Sequence, residues 1–293
     1  MTAPTLDKPH TKERSTSRGP AALFIYAVLA FLTLVFLGPI FFIFMNAFKN
    51  KLAIANDPFA IPLGDMWVGL ENFVTGLMRQ GFGWAIVWSF TITILSVIAI
   101  VFFSALTAYY IVRVKTWWTN ALYYMFVFSM VIPFQMVMFP TVKIADMLNL
   151  ANPIGIVVLY LGFGSGLSVF MFVGFIKSIP LEIEEAAMID GCSPLQNYFR
   201  VVLPMCKPTA ITVAILNAMW VWNDYLLPYL VIGLSTRYKT IPVLIQSFVG
   251  SHGNRDMGAM MAMLVLAIIP IIVFYMSAQK YIIEGVAAGA VKG

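Results

Sequence analysis

Charged side chains are scarce in this sequence: Asp, Glu, Lys and Arg make up 11% of 293 residues, against about 25% in soluble domains. That scarcity excludes an ordinary water-soluble globular fold. Cysteine is nearly absent, with only Cys192 and Cys206, fourteen apart and in no metal-ligand pattern, which excludes a disulfide framework. The two histidines, His10 and His252, are too few and too distant for a histidine-built metal centre or a Ser–His–Asp triad. No G-x-x-x-x-G-K-[S/T] run occurs, so the chain carries no P-loop of its own. Tandem repeats of useful period are also missing.

What remains is overwhelmingly apolar. Hydrophobic residues account for 61% of the sequence, and the mean hydropathy is +0.89. Charge-free stretches run over 19–48, 80–112, 116–142, 147–176 and 257–279, and a further run, 208–236, is interrupted only by Asp224. A spanning helix needs about 20 such residues. The expected fold class is therefore an all-α integral membrane protein with six transmembrane helices, their cores near 21–47, 84–111, 119–140, 153–176, 207–232 and 258–281. The net charge of +5 comes from Lys and Arg that punctuate these runs, as flanking charges do, rather than from a basic face for nucleic acid. With both termini inside, eleven basic residues lie on the inner side and seven on the outer, and four of the eleven (Lys8, Lys12, Arg14, Arg18) precede the first span. An N-in, C-in orientation follows.

The chain divides into a cytoplasmic tail (1–20), a first span with its external loop (21–83), a core transmembrane domain (84–283) and a cytoplasmic C-terminal tail (284–293). "GLENFVTGLM" has Leu70, Phe73, Val74 and Leu77 at helical spacing, which predicts a short surface helix. "GFGSG" at 162–166 lies inside a span without a nearby Lys, so close helix packing or a kink is expected rather than phosphate binding.

The segment 178–204 is richer in signals than a plain connection between spans. Pro180 and the acids Glu182, Glu184 and Glu185 suit the start of a helix, where negative charge meets the positive end of the helix dipole. Asp190-Gly191 stops that helix, and Ser193, Pro194 and Gln196 form a capping-box start for a second one that closes at Leu203-Pro204. Ile183, Ala186, Ala187 and Ile189 give the first helix an apolar surface of mostly small residues. Leu195, Tyr198, Phe199 and Val202 do the same for the second. Such patches rimmed by charge mark interaction sites, although packing beneath the chain's own bundle is an equal possibility on spacing alone.

"EAAMIDG" (185–191), followed nine residues later by "VVLP" (201–204), resembles the EAA signature of permeases of ABC importers, with Val201 where the pattern favours Ile. "WNDYLLPYLV" (222–231), "MVIPFQMVMFPTVKIADMLNL" (130–150) and the terminal "QKYIIEGVAAGAVKG" (279–293) are similar to the MalG-type subunits of maltose and oligosaccharide importers. This resemblance implies a coupling helix that docks on a cytoplasmic ATPase through Glu185, Ala186, Ala187, Asp190, Gly191, Leu203 and Pro204. A second ATPase contact is implied at Gly289, Ala290, Val291, Lys292 and Gly293. It implies as partners a MalF-type second permease, two MalK-type ATPases that bind ATP and Mg, and an external sugar-binding protein, in the bacterial plasma membrane. The chain itself would need no cofactor and would not be an enzyme.

Sugars present apolar faces and polar rims, so their sites combine aromatic platforms with amide or carboxylate partners. Asn217, Trp220, Asn223, Asp224 and Tyr225 supply those types on one predicted span, and Gln135 could add from another. Asp224 is also the one ionisable residue well inside a span, which keeps an ion-coupled carrier open as a rival. ABC permeases for polyamine, peptide or glycerol phosphate are the nearer alternative.

Overall fold

A computed structural model of the protein describes residues 20–79, 81–233, 237–248 and 256–290. The helices among them are α1 (Pro20–Asn46), α2 (Lys51–Asn56), α3 (Glu71–Arg79), α4 (Phe82–Arg113), α5 (Trp117–Ser129), α6 (Phe134–Met147), α7 (Pro153–Ile176), α8 (Leu181–Ile189), α9 (Pro194–Asn197), α10 (Leu203–Met205), α11 (Lys207–Asn223), α12 (Leu226–Val231), α13 (Ile241–Ser247) and α14 (Met257–Ala290). A π turn, Tyr198–Val202, joins α9 to α10. No strand occurs among the described residues, only an isolated bridge between Lys49 and Trp67. Four helices (α1, α4, α7 and α14) are each long and apolar enough to cross a bilayer, and two bent pairs bring the possible number to six.

The interior is built around α4 and α7. Along α4 the buried residues Ser89, Thr93, Ser96, Ile100, Ser104 and Ala108 recur every three or four positions, so they share one face. On α7 the buried residues include Tyr160, Gly164, Ser165, Ser168 and Phe172. Lipid offers no hydrophobic drive between helices, and small residues compensate by letting backbones approach closely. A Cβ placed on Gly164 would lie 2.5 Å from Ile100 Cδ1, and one on Gly166 2.6 Å from Ser129 Oγ. "GFGSG" is thus a close-packing element within an unbroken helix, as its position in the sequence implies. α11 packs against both α4 and α7, with Asn217 beside Ile100 at Gly164.

A second apolar cluster joins the start of α4 (Phe82, Ala85) to α13 (Ile241, Leu244) and α14 (Ala259, Met263). The helix expected from "GLENFVTGLM" is α3, seated so closely on α14 that a Cβ on Gly76 would overlap Met263. Ser89 Oγ accepts from the amide of Ile241 at 2.8 Å, which pins the start of α13 to α4. Nearby Lys49 is fully buried, and its ammonium donates to the carbonyls of Asp57 (2.9 Å) and Pro58 (3.1 Å). α1 is peripheral: its large side chains are exposed along most of its length, and it reaches α14 with Phe42 and Ile43 near its end.

Two of the expected continuous spans are broken. The stretch 119–140 divides into α5 and α6, which meet at 109°. Pro133, the N-cap of α6, has no N–H to continue a helix and forces the preceding residue toward extended geometry. The stretch 207–232 divides at Asp224, which leaves α11 with extended backbone (φ −73°, ψ 124°) before α12 begins. The start of this second stretch is bent as well, since 194–205 and α11 meet at 72° across Cys206. The second loop helix therefore does not stop at Leu203-Pro204; it runs through the π turn and α10 to Met205. Pro204 donates no amide hydrogen within that stretch, and the chain there takes the wider π register.

Candidate functional site

The segment between α7 and α11 folds as the sequence signals dictate. Gly191 adopts φ +91°, and the amides of Gly191 and Cys192 donate to the carbonyls of Met188 and Ala187, both at 3.0 Å. These two bonds form a Schellman stop, which the glycine makes cheap. The Ser193 hydroxyl accepts from the Gln196 amide (3.3 Å) while Gln196 Oε1 accepts from the Ser193 amide (2.9 Å), a complete capping box. Two short helices therefore stand at a fixed angle.

Their surface is two-sided. Glu185, Ala186, Asp190 and Gly191 are exposed and Ala187 is half-buried. At the apex Ile189 is 85% exposed and Leu195 63%, an apolar tip rimmed by Glu182, Glu185 and Asp190. Pro204 is exposed and Leu203 half-buried at the return toward α11. The expectation that Tyr198 and Val202 share this outward surface is corrected: both are buried beneath the bundle, with the Tyr198 ring 5.0 Å from that of Tyr109 on α4. Burial pushes the Tyr198 phenol up to about 12, so it stays neutral.

The inward side holds a residue that the sequence reading treated only as dipole charge. Glu184, 2% exposed, accepts from Arg113 Nε at 2.7 Å on one oxygen. The other oxygen accepts from Tyr109 Oη at 3.0 Å and Asn197 Nδ2 at 3.3 Å. A carboxylate out of water is tolerated where its lone pairs are this fully met. Adjacent acids thus have opposite fates, Glu184 inward and Glu185 outward. The only sequence clue is that Glu184 lies about 140° around the helix from Ile189 and about 100° from Glu185, at 3.6 residues per turn.

The candidate substrate-path residues divide into two groups. Tyr160 Oη donates to Asp224 at 2.9 Å and its ring meets Trp220 edge-on at 5.4 Å, while Asn217 Nδ2 donates to Ser168 Oγ at 3.0 Å. The structure thus gathers Asn217, Trp220 and Asp224 on α7. Asp224 also accepts from the Leu226 amide at 3.0 Å, which caps α12. Asn223 is exposed and donates to its own helix at Met219, and Tyr225 stacks on Tyr229. Gln135, on α6, is exposed and has no hydrogen-bond partner among the described residues. Beside Trp222 and Asn223, α4, α11 and α14 enclose a cavity of about 380 Å³ with an almost wholly aliphatic and aromatic lining. Such a lining cannot satisfy a sugar's hydroxyls. Of the expected C-terminal contact, Gly289 and Ala290 fall in the last turn of α14, and Val291, Lys292 and Gly293 lie outside the described residues.

With this geometry in view, comparison with known proteins is decisive. The family described as the binding-protein-dependent transport system inner membrane component matches residues 100–287. The chain belongs to this family. It is 39% identical to the probable starch degradation products transport system permease of Thermoanaerobacterium thermosulfurigenes, over 89% of this chain and 93% of that one. It is 34% identical to the multiple sugar-binding transport system permease of Streptococcus mutans, over 91% and 96%. Its fold is that of a chain in the crystal structure of a bacterial ABC transporter that imports the acidic polysaccharide alginate (TM-score 0.76, 22% identity, 91% and 98% covered). This family member is a multi-pass protein of the inner membrane and a permease rather than an enzyme. As its family's description states, it works in a system that depends on a binding protein.

Proposed function

We propose that this permease imports a sugar, an oligosaccharide by preference, as one half of the membrane pore of an ABC importer. The bundle crosses the membrane six times with both termini inside, α5 with α6 making one span and α11 with α12 another, while 194–205 stays in the cytoplasmic loop. Its partners are a MalF-type second permease, two MalK-type ATPases that hold ATP and Mg, and an external sugar-binding protein. The observation that carries this reading is the two-sided loop: a rigid double helix presenting Glu185, Ala186 and an apolar tip away from the bundle, in a chain whose relatives are named for sugar transport.

The physical sequence follows from that handle. Small side chains at Ala186 and Ala187 admit a partner's backbone, and Glu185 offers a charge for a basic group at the rim of its cleft. Asp190, Gly191, Leu203 and Pro204 set the angle of the two loop helices, and Gly289 to Gly293 give a second contact at the chain's end. Closing of the ATPases on ATP moves the loop as a rigid body, and the packed helices convert that movement into alternating access. On the solute side Asn217, Trp220, Asn223, Asp224, Tyr225 and Gln135 line or brace the path.

The test is uptake by proteoliposomes holding the co-purified complex with its binding protein. ATP-dependent import of malto-oligosaccharides or another oligosaccharide series is expected; import that ignores ATP but follows a sodium or proton gradient would overturn the reading. The second reading, an ion-coupled carrier, takes its support from Asp224, a half-buried carboxylate at a helix break.

A further inference from the structure

We infer that Arg113 and Glu184 form a positioning clamp that delivers movement of the coupling loop to α4 and so sets how tightly ATP hydrolysis is tied to solute movement. The inference rests on the proposed role of the loop as the ATPase contact. It concerns the buried face of α8, not the face that would be docked.

The Arg113 guanidinium joins three elements at once. Its Nε reaches Glu184 at 2.7 Å, and one terminal nitrogen donates to the carbonyls of Ile176 (3.4 Å) and Ile179 (3.3 Å), where α7 ends. The end of α4, the end of α7 and the first turn of α8 thus share one cation. Glu184 adds a fourth element, since Asn197 of α9 donates to its second oxygen. Both oxygens of that carboxylate are met by donors from α4 and α9, so the pairing geometry is complete.

Elsewhere α8 leans chiefly on α9 and the π turn, other parts of the same loop. Glu184, which takes both Arg113 and Tyr109 of α4, is therefore the side chain that links α8 to the spans. That link runs to α4, although α8 follows α7 in the chain. α4 in turn packs along its length against α7 and α11. A displacement of α8 passed through Glu184 arrives at the middle of the bundle rather than dissipating in the connection at 177–180. A guanidinium fork keeps this geometry better than an ammonium, because its donors are planar and fixed.

The experiment compares wild type, Glu184→Gln, Arg113→Ala, Arg113→Lys and Glu185→Lys in the reconstituted complex with its ATPase and binding protein. It records ATPase retained on the permease, ATP hydrolysed and solute imported. Glu184→Gln and Arg113→Ala are expected to retain the ATPase yet hydrolyse about tenfold more ATP per solute imported, within the range of ordinary coupling energies. Arg113→Lys, which keeps the charge and the fold, should recover most of the ratio lost in Arg113→Ala. A ratio that stays at the wild-type value while both rates fall together makes the pair a folding contact only and overturns the inference. If Arg113→Ala fails to assemble, the decision passes to Glu184→Gln, for which an unchanged ratio at normal assembly counts against the clamp. Wild type without ATP-driven import sinks the importer reading instead, a distinct result.

Discussion

Tyr160 and Asp224, 64 residues apart in the chain, meet through a 2.9 Å hydrogen bond that ties α7 to the break between α11 and α12. A second rung, Asn217 to Ser168, joins α7 and α11 two helical turns away. The two pairs run in opposite order along the chain, so α7 and α11 are antiparallel and held at two points about 11 Å apart at 1.5 Å rise per residue. The break at Asp224 is thereby held, not loose.

Tyr160→Phe and Ser168→Ala should each lower the stability of the detergent-solubilised complex by about 0.6 to 1 kcal/mol, the usual worth of one hydrogen bond between membrane helices. At this separation the double variant should show nearly the sum. A thermal melt followed by size-exclusion recovery reads both. A double variant no worse than either single would mean that the rungs act as one unit.

Asp224→Ala removes both the rung and the cap on α12, and a lost cap alone costs about 1 kcal/mol. It should therefore destabilise more than Tyr160→Phe in the same melt. Asp224→Asn, by contrast, should leave uptake insensitive to ionophores. Ion-driven counterflow that vanishes in this variant would favour the carrier.

Glu185→Lys should leave insertion intact and stability within about 0.5 kcal/mol of wild type, because the side chain is exposed and makes no hydrogen bond or ion pair among the described residues. Solute-stimulated ATP hydrolysis and uptake should be lost. Hydrolysis assays on membranes with equal permease content check this, and undiminished uptake would refute the docking face.

Glycines in α7 provide a matched comparison. A Cβ at Gly155 would sit 2.1 Å from the Leu150 carbonyl oxygen, whereas one at Gly162 meets nothing within 4 Å. Gly155→Ala should cost at least 1 to 3 kcal/mol through backbone displacement. Gly162→Ala should be neutral or slightly stabilising. Equal melts for the two would contradict the packing of the 148–153 turn against the start of α7.

The parts of the fold that sequence reveals are those written within a few residues. Gly191, Ser193 and Gln196 act on their immediate neighbours, so both loop helices and the stop between them were legible. Six apolar runs were legible for the same reason. Pro133 marks a place where a helix can bend, but nothing local says whether neighbouring helices straighten a proline or let it turn the chain by 109°. Tyr198 and Val202 looked like a docking surface because one apolar face reads the same whether its cover is a partner or the chain's own α4. Glu184 and Arg113 are 71 residues apart, and each looks ordinary where it stands: one more acid in a first turn, one more cation after a span. Only the folding of α4 beside the loop makes them a pair.

The fringe position of α1 carries a consequence for how the chain can vary. A helix that shows its large side chains to the surroundings over nearly all its turns answers to what lies outside this chain, acyl chains or the second permease, more than to the shape of a neighbour within it. Its 27 residues extend about 40 Å at 1.5 Å each, beyond a hydrocarbon layer of about 30 Å, so it must lean or protrude. Exchange of its first two-thirds for an unrelated greasy segment of equal reach should leave this chain's own bundle undisturbed, whereas shortening it would tug on the corner, near Phe42 and Ile43, where it is moored.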